Sequence, residues 1–334
     1  MPARLEKIKQ WLGQQGICDF DIAPASSDAS FRRYFRATPA DGGATLIIMD
    51  APPDKEDCTP FIHVTGIMLD MGLHVPQILA QDLKQGFLML TDLGSEQYLG
   101  HLNDSSAEGM YGDALNALLK MQESQDSRIP QLPPYDRELL LREMELFREW
   151  LLAKHLGLQL SDKQHRMLDQ TFAVLADHAL AQPRVFVHRD YHSRNLMVSQ
   201  PNPGILDYQD AVYGPVTYDL VSLLRDCYIA WPRSKVEGWV TDFYKEIAHL
   251  PHMRGVGFGR FLSWFDLMGV QRHLKASGIF ARLNHRDGKP GYLQDIPRTL
   301  NYILMVAEDY PPLDGLARLI VDEVMPRLLE ELAG

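Results

Sequence analysis

The stretch VHRDYHSRNLMV, Val187 to Val198, holds Asp190 and, five residues on, Asn195, and Asp207 follows twelve residues after Asn195 at the end of the apolar run GIL. Three oxygen-bearing side chains at this spacing suit phosphoryl transfer. One carboxylate has to orient an attacking hydroxyl and take its proton, while an amide oxygen and a second carboxylate hold Mg²⁺ against nucleotide phosphates, because magnesium prefers hard oxygen ligands. In those roles Asp190 is the base or orienter, and Asn195 and Asp207 are the metal ligands. His188, two residues before Asp190, reads as structural, supporting the loop through hydrogen bonds. A lone HxD or DxxxxN is common by chance. The weight rests on the combination with the second aspartate, the strand-like RVFVH and GILDY on either side, and the elements that surround them.

Those elements change character along the chain. Leu5, Ile8, Trp11 and Leu12 recur at helical spacing in the first fifteen residues. FRRYFRA and TLIIM, joined by the turn DGG and preceded by the polar loop SSDAS, form a hairpin; FIHVTGIMLDMG, Phe61 to Gly72, has helical period; VPQIL and FLMLTDLG are two further strands. Beyond Gly94 long amphipathic helices take over, at about 106–123, 135–156, 162–180, 215–230, 256–278 and 313–332. There are no internal repeats and no low-complexity stretch. The reading is an α+β chain with a small sheet-rich domain over 1–94 and a helical domain over 95–334 that carries the catalytic loop.

Composition narrows the partners. With 334 residues and 46% hydrophobic content the chain can bury a large core, and 33 basic against 44 acidic residues give a formal charge of -11. A negative surface with no long basic run argues against nucleic acid or an anionic membrane as partner. The N-terminal charges are spread at helical spacing, unlike a signal peptide, and no apolar segment is long enough to span a bilayer. Cys18, Cys58 and Cys227 are far apart and match no metal or CxxC spacing, as expected in a reducing compartment. The expectation is a cytoplasmic monomer.

HRDYHSRN followed by LDYQDAVYGPVTYDL resembles the catalytic motif and metal aspartate of the aminoglycoside phosphotransferase family, over nearly the whole chain. The resemblance implies a protein-kinase-like bilobal fold, ATP and Mg²⁺ as cofactors, FLMLTDLG with Leu90 and Asp92 as the hinge that meets adenine, and Asp219 as a buried carboxylate bracing the catalytic loop. Within the family, PASSDASFRRYFR, LDYQDAVYGP and QRHLKASGIFARLNHRDGKPGYL are similar to anomeric sugar kinases that phosphorylate N-acetylmuramate and N-acetylglucosamine in bacterial cell-wall recycling. An amino sugar and ATP are thus the implied small-molecule partners. A kinase for a cationic acceptor such as an aminoglycoside or choline, and a catalytically inactive nucleotide-binding regulator, are the alternatives.

One feature of the fold is broken. Kinases of this type carry a strand lysine paired with a helix glutamate, and here Met49 and Phe61 fall at those places. Losing both members avoids stranding a buried charge. Arginine has a planar fork of donors suited to phosphate, so Arg32, Arg33 and Arg36 become candidates, Arg32 or Arg33 foremost, with Ser26, Ser27 and Ser30 adding hydroxyls and backbone N–H groups. Alternation puts Arg32 and Arg36 on one face and Arg33 beside Phe31 and Phe35 on the other. The acceptor is assigned to Asp190 and His192 with the basic, polar run Arg272, His273, Arg282, Asn284, His285, Arg286 and Tyr292, of which Arg272 and Arg286 are the candidates for meeting a carboxylate.

Overall fold

A computed structural model describes residues 2–27 and 31–333, and the chain divides into two compact units: one holds the residues through His101 together with Asn195–Asp210, the other Leu102–Arg194 and the residues from Ala211 on. In the first unit the expected N-terminal helix forms over Pro2–Gln14, and its Ile8, Trp11 and Leu12 bury against Ala37, Ile48 and Phe87. Those residues belong to an antiparallel sheet of β1 (Phe20–Ser27), β2 (Arg33–Pro39), β3 (Leu46–Asp50), β4 (Ile78–Asp82) and β5 (Phe87–Thr91), in the order β1-β2-β3-β5-β4. The helix Thr59–Asp70 buries Phe61, Val64, Ile67 and Met68, the apolar stripe that its 3.6-residue period predicts.

The division differs from the expected boundary at 94 in two respects, both due to long-range pairing. Gln97 bridges to Met197 and the Val198 N–H donates to the Glu96 carbonyl at 2.7 Å, which carries the first unit on to His101. The hairpin of β7 (Leu196–Met197) and β8 (Gly204–Ile205) belongs to the same unit, because the Ile205 N–H donates to the His74 carbonyl at 2.8 Å and Tyr208 stacks on Phe61 with ring centroids 5.1 Å apart. GILDY is a shorter strand than expected. The Leu206 N–H turns to the Asn195 carbonyl at 2.9 Å, and Asp207 takes a left-handed backbone with φ of 65°.

In the helical unit, β6 (Arg184–Val187) pairs antiparallel with β9 (Val212–Pro215). The helix expected over 215–230 is confined to Tyr218–Leu224, and helices Arg233–Ile247 and Ile296–Ala307 occupy stretches left unassigned by the sequence reading. The helix expected to end at 278 instead runs Phe258–Asp287 and stops where Gly288 turns left-handed with φ of 63°. Gly278 lets that helix pack closely, since a β-carbon there would overlap the Leu146 carbonyl of helix Arg137–Leu146. No described helix is long and apolar enough to cross a membrane.

Candidate active site

Strand β6 ends at Val187, and the loop that follows, through His188 and Arg189, delivers Asp190 to the wall of a pocket in the helical unit. Asp219, 2% exposed near the start of helix Tyr218–Leu224, accepts hydrogen bonds from the His188 N–H at 2.6 Å and the Arg189 N–H at 3.0 Å. Two backbone donors of the loop are therefore satisfied by one buried carboxylate, the bracing role that the family resemblance implies for Asp219. Its burial raises the Asp219 carboxyl to about 7, although the two backbone donors pull the other way. The Asp190 N–H donates to His188 Nδ1 at 3.2 Å, so His188 does support the loop. Arg189 sits between them with φ of 77°, a left-handed conformation that a side chain disfavours.

Asp190 lines a pocket enclosing about 410 Å³, part of it open to solvent. Around it are His192, Tyr218, Tyr228, Arg272 and Lys275, with an apolar end formed by Ala276, Ile279 and Phe280. Burial would push the Asp190 carboxyl up, but Lys275 first, then His192, Arg189 and Arg272, hold it below the ordinary carboxylate range. The group is an ionised acceptor for a proton. Arg272, Lys275, Ala276, Ile279 and Phe280 all come from the long helix Phe258–Asp287, at the i, i+3, i+4, i+7, i+8 spacing of one face.

Arg272 is 5% exposed, touches Cys227 Sγ at 3.6 Å through Nη1, and its Nε has no hydrogen-bond partner among the described residues. Lys275 is held by Glu143 at 3.0 Å and donates to the Tyr218 hydroxyl at 2.9 Å. His192 packs its ring 5.4 Å from Tyr228, and burial keeps its imidazole below the ordinary value against the pull of Asp226 and Asp190.

Arg286, named beside Arg272 as a carboxylate contact, is not among the pocket residues. Fourteen residues along a helix are about 21 Å at 1.5 Å each, and Arg286 is exposed and paired with Asp287 at 3.0 Å. His273 points the other way from Arg272, stacking on Tyr302 at 4.8 Å and bonding to the Arg225 carbonyl at 2.9 Å in the core. His285 meets His155 at 3.2 Å. Tyr292 stacks on Phe280 at 5.7 Å, and Arg194 lies over both Tyr228 and Tyr292, at 4.1 and 5.2 Å from the ring centroids. Sequence reasoning missed Lys275, Tyr228 and Glu143; for Lys275 the signal was present, three residues after Arg272 on the same helical face.

In the sheet unit Asn195 and Asp207 flank the β7–β8 hairpin, with Asn195 Nδ2 3.4 Å from Asp207 Oδ2 and Gln209 Nε2 donating to Asp207 Oδ1 at 2.8 Å. The amide and carboxylate expected to hold magnesium are thus side by side. Among the described residues no group of three or more His, Cys, Asp or Glu could hold a metal. One amide oxygen and one carboxylate fit Mg²⁺, which keeps waters and takes phosphate oxygens rather than an all-protein cage. Met49 is wholly buried between Tyr34 and Leu88 on the neighbouring strands, and Phe61 is 4% exposed and stacked on Tyr208, whose hydroxyl meets Thr65 Oγ1 at 2.9 Å. Both positions read from the sequence as lacking the lysine and glutamate are thus filled by apolar packing.

The arginines divide by partner. Arg33 pairs with the fully buried Asp50, which also takes Arg4 Nε at 2.8 Å, and its guanidinium lies 5.9 Å from Phe35, the face that alternation predicted. Arg36 is held by Asp92 at 2.5 Å and by the Gly94 carbonyl at 2.9 Å. Arg32 has a looser contact, 3.8 Å to Glu56. Ser27 ends β1 opposite Arg33, and Ser30 lies outside the described residues. Leu90 is 2% exposed inside β5, opposite both Ile47 and Ile78, so its backbone is engaged by the sheet. Asp92 follows the strand and accepts from the Gly94 N–H at 2.9 Å, which fixes the turn beyond it.

A family model described as "Phosphotransferase enzyme family" matches residues 21–255. The N-acetylmuramate/N-acetylglucosamine kinase of Pseudomonas putida is 47% identical over 333 residues, covering 96% of both chains, and that of Pseudomonas aeruginosa is 45% identical over 329 residues, covering 95% of this chain and 96% of that one. A choline kinase from Cryptosporidium parvum superposes with a TM-score of 0.62 at 13% identity, over 95% of this chain and 100% of that one. An ADP-bound aminoglycoside phosphotransferase superposes with a TM-score of 0.59 at 12% identity, over 89% and 97%. These likenesses establish the bilobal kinase-like fold.

Proposed function

The chain belongs to the phosphotransferase enzyme family, and we propose that it transfers the γ-phosphoryl group of ATP to the anomeric hydroxyl of N-acetylmuramate and N-acetylglucosamine. Relatives of near-identical span carry the sugar kinase name, which supports the acceptor class. The observation that carries the chemistry is Asp190, held ionised by cations at the wall of a pocket that opens to solvent.

In this reading Asp190 accepts the proton of the C1 hydroxyl as its oxygen bonds to the γ-phosphorus and the bond from that phosphorus to the β-phosphate oxygen breaks, leaving ADP. The ring oxygen makes an anomeric hydroxyl more acidic than an ordinary alcohol, so a carboxylate suffices and a loose transition state asks mainly for positioning. Asn195 and Asp207 supply oxygen ligands for Mg²⁺, which neutralises phosphate charge when bound. Arg272 meets the lactyl carboxylate of N-acetylmuramate: it is a buried cation on the pocket wall whose Nε lacks a partner among the described residues. Two cations there disfavour a cationic acceptor, and an inactive regulator has no need of a charged proton acceptor.

Phosphorus NMR of the product, with each sugar in turn, tests the proposal. A 1-phosphate from both sugars is expected. A 6-phosphate would refute the regiochemistry, and no Mg²⁺-dependent turnover of either sugar would refute the function.

A further inference from the structure

Glu143 is an interior carboxylate, 4% exposed on helix Arg137–Leu146, that lies behind the pocket wall. It takes Arg189 Nη2 at 2.6 Å, Lys275 Nζ at 3.0 Å, Gln271 Nε2 at 3.3 Å and the Tyr135 hydroxyl. Its two cations lead to the same place by different routes. Arg189 is the residue immediately before Asp190, and Lys275 lines the pocket with Asp190.

Arg189 is fixed at both ends, its backbone N–H on Asp219 and its guanidinium on Glu143, while its φ of 77° is one that a residue with a β-carbon leaves unless its surroundings hold it. Backbone strain next to a reactive carboxylate is a sign of enforced geometry. Lys275 is held similarly, between Glu143 and the Tyr218 hydroxyl at 2.9 Å. A buried charge cluster of this kind contributes little stability over well-packed apolar residues, so its value lies in the single arrangement it enforces.

We propose that Glu143 is a positioning residue for phosphoryl transfer: it locks Arg189 in the turn that presents Asp190 and holds Lys275 in the pocket wall beside that carboxylate. The inference rests on the assignment of Asp190 as proton acceptor. The charged and titratable groups that interact with Asp190 are Lys275 and Arg272 from the long helix, Arg189 and His192 from its own loop, and Asp219 beneath the loop. Glu143 acts on it through two of them.

Glu143→Gln keeps the shape and removes the charge; Lys275→Met removes the cation of the pair that lines the pocket. Steady-state kinetics, pH profiles and thermal melts are measured on both. Glu143→Gln is expected to lower kcat about a hundredfold, the scale of a misplacement near 1 Å, with KM for ATP unchanged. Lys275→Met is expected to move the acidic limb of kcat/KM to higher pH, since Asp190 loses its largest compensating charge, whereas Glu143→Gln is expected to leave that limb in place or lower it. A purely structural Glu143 would change the melting temperature and move neither quantity. If Glu143→Gln does not fold, the double variant Glu143→Gln/Lys275→Gln, which removes one charge of each sign, takes its place with the same expected loss of kcat. A folded variant with wild-type kcat and an unshifted limb in Lys275→Met would overturn this inference alone. Absence of sugar phosphorylation by the wild type would overturn it together with the proposed function.

Discussion

Replacing Arg272 with methionine tests the acceptor assignment most directly, because the two sugars differ in the carboxylate that Arg272 is proposed to meet. The guanidinium is 5% exposed and its Nε has no partner among the described residues, so folding has already stripped it of water without supplying a full set of bonds. Its charge is nonetheless favoured by the Asp226 and Asp190 carboxylates, so removing it leaves them less compensated and costs stability. A charge-assisted hydrogen bond to a substrate carboxylate contributes about 1.5–3 kcal/mol, which is roughly 10- to 150-fold at 1.4 kcal/mol per decade. Arg272→Met should therefore lower kcat/KM for N-acetylmuramate by that factor relative to N-acetylglucosamine. Arg272 also helps to hold Asp190 ionised, but that loss is common to both sugars and cancels in the ratio. The assay is ADP release at saturating Mg·ATP with each sugar varied. Equal losses on the two sugars would refute the carboxylate contact.

Asp190→Asn should abolish turnover and leave nucleotide binding nearly intact, measured by calorimetry with ATP; wild-type-like turnover would defeat its role as proton acceptor. Asp207→Ala should weaken Mg·ATP binding and raise the magnesium requirement, and an unchanged metal titration would remove it from the ligand set. Arg32→Ala should raise KM for ATP, whereas Arg33→Ala should cost about 1–3 kcal/mol in urea unfolding with little change in KM, since Arg33 serves Asp50 and Arg4 remains there; the reverse pattern would exchange their roles. Met49→Lys should lose about 3–5 kcal/mol as an unpaired buried charge, with Phe61→Glu recovering part of that loss in a double-mutant cycle, and no coupling between the two would show that they no longer form a pair.

Much of the site was legible because it is local. Asp190, Asn195 and Asp207 lie within eighteen residues of one another, and their chemical types alone narrow the reaction. The apolar character of Met49 and Phe61 was legible in the same way, and the structure buries both. The acceptor region was legible only in part. A basic run looks alike whether its residues face a pocket, the core or solvent; Arg272, His273 and Arg286 took these three courses because a helix turns about 100° per residue and rises about 1.5 Å.

Hydrophobic period and turn chemistry by themselves determined that a small sheet with one main helix precedes a helical region, and that a loop with two carboxylates and an amide interrupts the latter. Tertiary structure decided what could not follow from neighbours in sequence: that the Asn195–Asp210 hairpin belongs with the sheet unit, that Arg33 serves Asp50, and that Glu143 gathers Arg189 and Lys275 behind Asp190. The physical reason is that a buried charge is settled by whichever opposite charge the fold brings within hydrogen-bonding reach. Glu143 and Lys275 are separated by 132 residues in the chain, and no local pattern encodes that meeting.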